Sequence, residues 1–186
     1  MKKLVSLLLA LAMGAGILSG CHAAVIAAGT AVLVGSISSN EKSGISQATG
    51  IDVSDGQLVS LESWGGFHGD GTSITVIRFS DDTVLGEIRQ ADNWRPLPLD
   101  ETTQALVYGV SGSSADGSFV YSAGPYLTDE DGACLIPPIE TGYYWFLDRH
   151  GETGENSDIL SRASLNFSVA LYDCEGHTLY FATLDT

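Results

Sequence analysis

The stretch Asn166–Asp185, NFSVALYDCEGHTLYFATLD, decides the fold of this chain. Two runs rich in β-branched and aromatic residues flank Glu175 and Gly176, and this arrangement predicts a β-hairpin. The pairing register has two options at this stage. Val169 could share a sheet face with Ala182 or, if the turn is one residue longer, with Phe181. In either register, the stretch predicts two strands of an antiparallel sheet.

Short runs of the same kind continue towards the N-terminus, separated by Gly, Asp, Asn and Ser. They predict strands at Gln57–Trp64, Thr72–Phe79, Thr83–Ile88 and Gly142–Asp148, with a weaker candidate at Ser118–Ser122. In the run GYYWFLD both alternating sets of side chains are largely apolar. Such a strand is covered on both faces, so we expect Gly142–Asp148 inside the sheet.

One segment has helical signals instead. In LPLDETTQALVYG, Asp100 is a candidate N-cap and Gly109 stands where a C-cap would fall, so the segment predicts a helix over Glu101–Tyr108. Its buried face would carry Leu99, Thr103, Leu106 and Val107. The predicted fold class is therefore a β-rich α+β fold, a single antiparallel-sheet domain with about one helix, preceded by an N-terminal apolar leader helix.

The N-terminus begins with Met1-Lys2-Lys3 and continues without charge to Gly20, as in a secretory signal peptide. The run ends in Leu18-Ser19-Gly20-Cys21, which resembles the lipobox of bacterial lipoprotein precursors. This resemblance implies that residues 1–20 are removed and that the Cys21 sulfur receives a diacylglyceryl group. Two acyl chains anchor a protein stably in a membrane, so the resemblance implies a lipid-anchored protein.

An alternative remains open, in which the leader stays uncleaved as a transmembrane anchor, because the apolar stretch exceeds the roughly 20 residues that a bilayer requires. The run Ala23–Gly35 could lie on the lipid or pack on the domain. Ser36–Gly50 is rich in small polar residues and predicts a flexible linker. The expected division is a signal peptide at 1–20, an anchored apolar segment with linker at 21–50, and an ectodomain at 51–186 that faces outside the cytoplasm.

The charge of this ectodomain excludes one class of partner. It contains five arginines against 22 Asp and Glu residues, a formal charge of −17, and is large enough for one hydrophobic core. Nucleic-acid binding depends on Lys and Arg that neutralise phosphates, so we expect none. Cationic partners or metal ions are the electrostatically favoured ligands, and the candidate partner is a cationic or envelope protein. Alternatively, the charge only keeps an exported protein soluble. No motif indicates a cofactor.

The loop WGGFHGDG concentrates glycines around His68 and Asp70. A phosphate-binding loop would continue into a Lys and a helix, whereas Thr72 begins a predicted strand. Asp70-Gly71 is typical of a turn between strands. Phe67, His68 and Asp70 therefore form a candidate ligand loop rather than a nucleotide site.

No catalytic residue or metal site is predicted from the remaining motifs. Ser111 lacks the GxSxG spacing of a nucleophile elbow. In DRHGE, His150 follows Asp148, where a strand-end ion pair between Asp148 and Arg149 or nearby groups is the simpler interpretation. TDEDGA lacks the glutamate that closes an EF-hand loop.

The two remaining cysteines, Cys134 and Cys174, are a candidate disulfide in an oxidising compartment. With His177 they could instead supply three ligands for zinc, but a fourth ligand and the usual paired spacing are missing. The disulfide is the expected use of these thiols.

The motifs GFHGDG, NWRPLPL and GYYWFLDRH, together with the C-terminal hairpin, resemble an ectodomain found in an uncharacterised family of exported or membrane-anchored bacterial proteins. The resemblance covers about residues 60–186 and assigns no functional residue. We expect a binding or interaction module and no enzyme. The alternatives are a cell-envelope hydrolase, or a structural or regulatory lipoprotein without a small-molecule site.

Overall fold

The structure, a computed structural model, describes residues 38–65, 70–113, 120–150 and 158–186. The predicted leader and Cys21 lie outside these residues. The chain divides into two compact units at Lys42 and Ser43, and the architecture below is that of the second unit. In the described part of the chain, no helix has the length and apolar character needed to cross a bilayer.

The strands of the fold form two antiparallel sheets. In chain order they are β1 (Gln57–Gly65), β2 (Gly71–Arg78), β3 (Arg95–Pro96), β4 (Val110–Ser113), β5 (Val120–Ala123), β6 (Gly142–Asp148), β7 (Phe167–Asp173) and β8 (Thr178–Asp185). Six of them form the main sheet in the order β1-β2-β8-β7-β6-β3, and β4 pairs with β5 in a separate ribbon. The β-rich antiparallel fold is therefore as predicted.

The C-terminal hairpin lies at the centre of the main sheet, between β2 and β6. Val169 pairs with Ala182, so the structure adopts the first of the two registers. His177, the last turn residue before β8, has a φ of 47°. Few residues other than glycine adopt this conformation, so the short turn is closed at a local conformational cost.

The helices are α1 (residues 38–49, of which 43–49 belong to the second unit), α2 (Thr83–Ile88) and α3 (Glu101–Tyr108), with a 3-10 turn at Ile159–Ser161. The predicted bounds of α3 are confirmed. Asp100 caps it by accepting a hydrogen bond of 2.8 Å from the Thr103 amide, and Gly109 follows at a φ of 78°. The expectation of about one helix is wrong, because the described residues contain three α-helices.

The predicted strand at Thr83–Ile88 is wrong, since these residues form α2. Val84, Leu85 and Ile88 are the buried side chains, and this spacing places them on one helical face. Asp81 accepts a hydrogen bond of 3.0 Å from the Thr83 amide at the start of the helix. In so short a segment, the content of apolar residues did not distinguish a helix from a strand.

The predicted flexible linker is also corrected, because residues 38–49 form α1. Ile45 and Thr49 are buried within the second unit. The Trp94 indole donates a hydrogen bond of 3.1 Å to the Thr49 carbonyl at the end of the helix. The folded part of the chain therefore begins before Ile51.

Both faces of the main sheet are covered. The first face, which carries Tyr172 and Trp145, packs against Ile45 of α1, the buried side of α2 and Trp94. The second face, which carries Val169 and Leu171, packs against α3 and the segments that follow β5 and β6. Side chains of β6 belong to both layers, as the sequence predicts for a strand inside the sheet.

Candidate binding cleft

An acidic cleft of about 370 Å³ opens where β1 begins and β2 ends. Four carboxylates surround it, those of Asp52, Asp55, Asp81 and Glu87. Phe79 and Val84 give it apolar walls, and in the described part of the chain no basic residue lines it. The cleft therefore offers a negative potential beside an apolar surface.

Three segments hold the walls of the cleft in place. The Asp52 amide donates a hydrogen bond of 2.7 Å to the Glu87 carboxylate, which ties the segment before β1 to α2. Gly56 allows this segment to approach the end of β2, because a Cβ at that position would collide with Ile77 and Phe79. The cleft is thus built by tertiary contacts between segments that are far apart in the chain, 35 residues in the case of Asp52 and Glu87.

The charge state of the rim follows from local hydrogen bonds. The Thr83 hydroxyl and amide lower the pKa of Asp81, with a smaller contribution from His177. Asp81 is therefore a carboxylate throughout the neutral range. The neighbouring Asp82 lies 2.9 Å from His177 Nδ1, so it forms an ion pair when the histidine is protonated.

The carboxylates do not converge on a point. In the described part of the chain, no group of three His, Cys, Asp or Glu side chains is placed to hold a metal ion. Glu87 already accepts the Asp52 amide, and Asp81 accepts the Thr83 amide. Spread around an open space, such groups are suited to an extended cation, such as a guanidinium or an alkylammonium, with its aliphatic stem against Phe79.

The hairpin turn carries a thiol, Cys174, and a histidine, His177, whose backbone carbonyl accepts a hydrogen bond of 2.8 Å from the Phe79 amide beside the cleft. Burial raises the pKa of the Cys174 thiol. The positive charge of the nearby Arg89 guanidinium acts in the opposite direction but does not cancel the effect of burial, so the pKa remains raised. A thiol whose pKa is raised remains protonated and weakly nucleophilic at neutral pH. Burial likewise raises the pKa of Tyr172 to about 12. The geometry provides an Asp82–His177 pair but no activated nucleophile among these groups.

The acidic and basic residues at the end of β6 form structural ion pairs. Asp148 binds Arg162 through two contacts, of 2.8 Å and 2.9 Å. Arg149 lies 2.8 Å from Asp185, at the end of β8. Asn166 Nδ2 lies 2.9 Å from His150 Nε2. The strand-end ion pair expected for Asp148 is present with Arg162 as its partner, whereas Arg149, the first partner expected for it, pairs with Asp185.

The predicted ligand loop is described only in part. Phe67 and His68 lie outside the described residues, so their role stays a prediction. Asp70 is exposed and lines an open depression of about 270 Å³ together with Trp64, Thr72 and Asp185. This depression lies at the opposite end of β1 from the acidic cleft.

The expected disulfide does not form in this structure, where Cys134 and Cys174 are free thiols. Cys174 packs with the core on the first face of the sheet. Cys134 lines a groove with Ile74 and Val76, whose side chains lie on the second face. The sheet therefore separates the two thiols.

The acidic turn after β5 is organised by its own backbone. The Asp129 carboxylate accepts hydrogen bonds from the amides of Asp131, at 3.0 Å, and Ala133, at 2.8 Å. One oxygen of this side chain is therefore committed to the turn, which is typical of an Asx-type loop.

No family model, curated protein or solved structure matches this chain. The candidate site therefore depends on its geometry. Sequence reasoning missed the carboxylates of the cleft, because Asp52 and Glu87 are far apart in the chain. The overall charge was the only signal that pointed towards them.

Proposed function

We propose that the ectodomain is a binding module whose acidic cleft receives a cationic group from a partner protein. The observation that carries this proposal is the set of four carboxylates around a space of about 370 Å³, with no basic residue among the described lining residues. Carboxylates near an apolar wall attract Lys and Arg side chains, both by charge and by contact with the aliphatic stem.

The charge of the whole chain, formally −15, supports a cationic partner over an anionic one. Phosphate backbones would be repelled, and no nucleic acid is proposed as a ligand. In a lipid-anchored protein outside the cytoplasm, the partner would be a basic segment of an envelope protein. Long-range attraction of this kind raises association rates more than it lowers dissociation rates.

The test uses the full-length chain in detergent and a synthetic ten-residue peptide of alternating Lys and Val as the probe. The double variant Asp55→Asn with Glu87→Gln should weaken binding by about tenfold at low salt, the effect of losing two partner charges. Gln at position 87 keeps an oxygen that can accept the Asp52 amide. Titration by fluorescence anisotropy gives the dissociation constants.

The matched control is Glu101→Gln with Glu140→Gln, which makes the same change in net charge at two exposed positions outside the cleft. It should change binding by less than about twofold. Binding to the wild type should weaken as salt rises, because the Debye length falls from about 30 Å at 0.01 M to about 8 Å at 0.15 M. Equal losses in both double variants would contradict the cleft as the site.

We also propose that Cys21 carries the lipid anchor, which is supported by the complete lipobox in Leu18–Cys21. Intact-mass analysis of the membrane fraction should show loss of residues 1–20 and the mass of a diacylglyceryl group. Cys21→Ser should abolish both changes. An intact, unmodified N-terminus in the wild type would contradict the proposal.

A further inference from the structure

The edge of the main sheet at β1 is long and exposed. β1 has nine residues and pairs with β2 on one side, while its other side forms the edge of the sheet. Val59 is 50% exposed and Leu61 is 40% exposed, and they are two of the three large apolar side chains exposed in the described part of the chain. We call β1 the open edge.

The regular part of the open edge is long enough to pair with a further strand. A bulge at Val59 interrupts the pairing with β2 between Leu58 and Ser60, after which Ser60–Gly65 continue in register without interruption. An edge strand directs every second N–H and C=O away from its neighbour. Ser60–Gly65 therefore present a row of backbone donors and acceptors.

A groove of about 190 Å³ runs beside this strand on the second face. Glu62 and Asp129 line it with carboxylates, while Trp64 and Leu135 give apolar contacts. On the first face, Leu61 lies opposite Thr75 and is exposed. The two sides of an added strand would thus meet different surfaces, one acidic and apolar, the other apolar.

We propose that the open edge binds an extended, basic segment of a partner protein as an additional strand of the sheet. This inference rests on the proposed function, because the same cationic partner would also reach the acidic cleft at the start of β1. Backbone hydrogen bonds along Ser60–Gly65 supply affinity, and alternate side chains supply specificity. Basic side chains meet Glu62 and Asp129, and apolar ones meet Leu61.

Charge complementarity selects this occupant. A second copy of the chain would carry a formal charge of −15 to the same acidic surface. An acidic segment would meet the same repulsion. A segment with Lys or Arg at alternate positions pairs its charges with the groove while its other side chains cover Leu61.

The first experiment asks whether the peptide backbone takes part. The ten-residue Lys/Val peptide is compared with two forms N-methylated at alternate residues, one at every Lys and one at every Val. A methylated amide cannot donate a hydrogen bond, and in an added strand only one of these sets points at β1. One methylated form should lose at least about tenfold in affinity, while the other binds nearly as the parent. Equal affinities for all three peptides would overturn strand addition.

The second experiment changes the edge itself. Leu61→Lys should weaken binding of the basic peptide by at least about tenfold, because it removes the apolar contact and adds a like charge. The matched control is Tyr121→Lys, at a side chain on β5 that is 50% exposed. The control should change affinity by less than about twofold. Equal losses in both variants would overturn the assignment to β1.

The experiments separate this inference from the proposed function. If the cleft variants weaken binding while neither methylated peptide does, the cleft stands and strand addition fails. If one methylated peptide fails while the cleft variants bind normally, strand addition stands and the cleft fails. Failure of every peptide to bind at low salt contradicts both.

Discussion

The two edges of the main sheet are finished in different ways. The open edge, β1, has nine residues and exposes Val59 and Leu61. The other edge, which we call the closed edge and define as β3 with β6, ends in a strand of two residues. Pro96 in that strand has no backbone N–H to offer a further strand. Among the described residues, β1 thus leaves a long row of backbone donors and acceptors at its edge, whereas the two-residue β3 with its proline leaves few.

The side-chain support of the two edges differs as well. At the closed edge, the Tyr144 hydroxyl donates a hydrogen bond of 3.0 Å to Asp100, and the chain after β3 returns through a bond from the Leu97 amide to the Gly142 carbonyl. Asp148, at the end of β6, is held by Arg162, whose side chain is only 8% exposed. Substitutions should therefore cost stability at the closed edge and little at the open edge.

The largest expected loss of stability is at the Asp148–Arg162 pair. Arg162→Ala should lower the free energy of unfolding by about 3–5 kcal/mol, because it removes a buried guanidinium, only 8% exposed, that makes two contacts with the partly buried Asp148 carboxylate. Urea denaturation at pH 7 measures it. Arg95→Ala is the control. Arg95 also pairs with a carboxylate, that of Asp100, but its side chain is 68% exposed, so the substitution should lower the free energy of unfolding by less than about 1 kcal/mol. Similar losses of unfolding free energy in the two variants would contradict the prediction that the buried ion pair contributes more to stability than the exposed one.

A smaller loss is expected at Tyr144. Tyr144→Phe removes the hydrogen bond to the Asp100 carboxylate and should destabilise by about 1.5–3 kcal/mol, as for bonds to charged groups. Tyr121→Phe makes the same chemical change at an exposed position, so its unfolding curve should coincide with that of the wild type. If Tyr144→Phe has the same free energy of unfolding as the wild type, the stability of the closed edge does not depend on this hydrogen bond.

Acid should reduce the contribution of Asp100. Burial acts to raise its pKa, but hydrogen bonds from Thr103 and Tyr144 and the charge of Arg95 together hold the pKa below its usual value. A carboxyl group with a lowered folded-state pKa stabilises the fold above roughly pH 4 and loses this effect as the pH falls further.

The test compares the wild type with Asp100→Asn, which keeps an oxygen for the helix cap. We expect the wild type to be more stable by under about 1 kcal/mol at pH 7, since the pair is partly exposed to solvent. The difference should shrink in urea denaturation below roughly pH 4. A difference that grows on acidification would contradict the direction of the pKa shift.

The smallest effect on stability is expected at the open edge. Leu61→Lys should change the free energy of unfolding by less than about 0.5 kcal/mol, as at other exposed sites. The same urea experiment measures it, and the result shows that any loss of peptide binding in this variant is not due to unfolding. A loss above about 1 kcal/mol would mean that Leu61 contributes to the folded domain itself.

Local sequence signals predicted several elements well. The bounds of α3 followed from Asp100 and Gly109, because a cap and a positive-φ glycine act within a few residues. The strands of the C-terminal hairpin followed from dense β-branched and aromatic runs. The prediction of a strand at Thr83–Ile88 was wrong, since six residues with three apolar side chains fit either a helix or a strand. The prediction of a flexible linker over residues 38–49 was wrong, because their polar composition gave no sign that Ile45 and Thr49 are buried in the fold.

The candidate site was largely beyond prediction from the chain. The Asp52 amide meets the carboxylate of Glu87 on α2, and Glu62 and Asp129 line the same groove beside β1. Neither pair has a motif, since the residues are joined by packing and not by spacing. The expected disulfide between Cys134 and Cys174 shows the same limit. The number of cysteines does not reveal that the sheet lies between the two thiols.

The sequence by itself determined the antiparallel, β-rich character of the domain, its acidic charge and the capped helix at Glu101–Tyr108. These properties depend on interactions between near neighbours or on composition alone, so a linear pattern contains them. Only the tertiary structure decided the register of the hairpin, the order of the strands and hence which strand lies at an open edge. Those choices depend on how two apolar layers cover both faces of one sheet, which is a property of packing among distant residues.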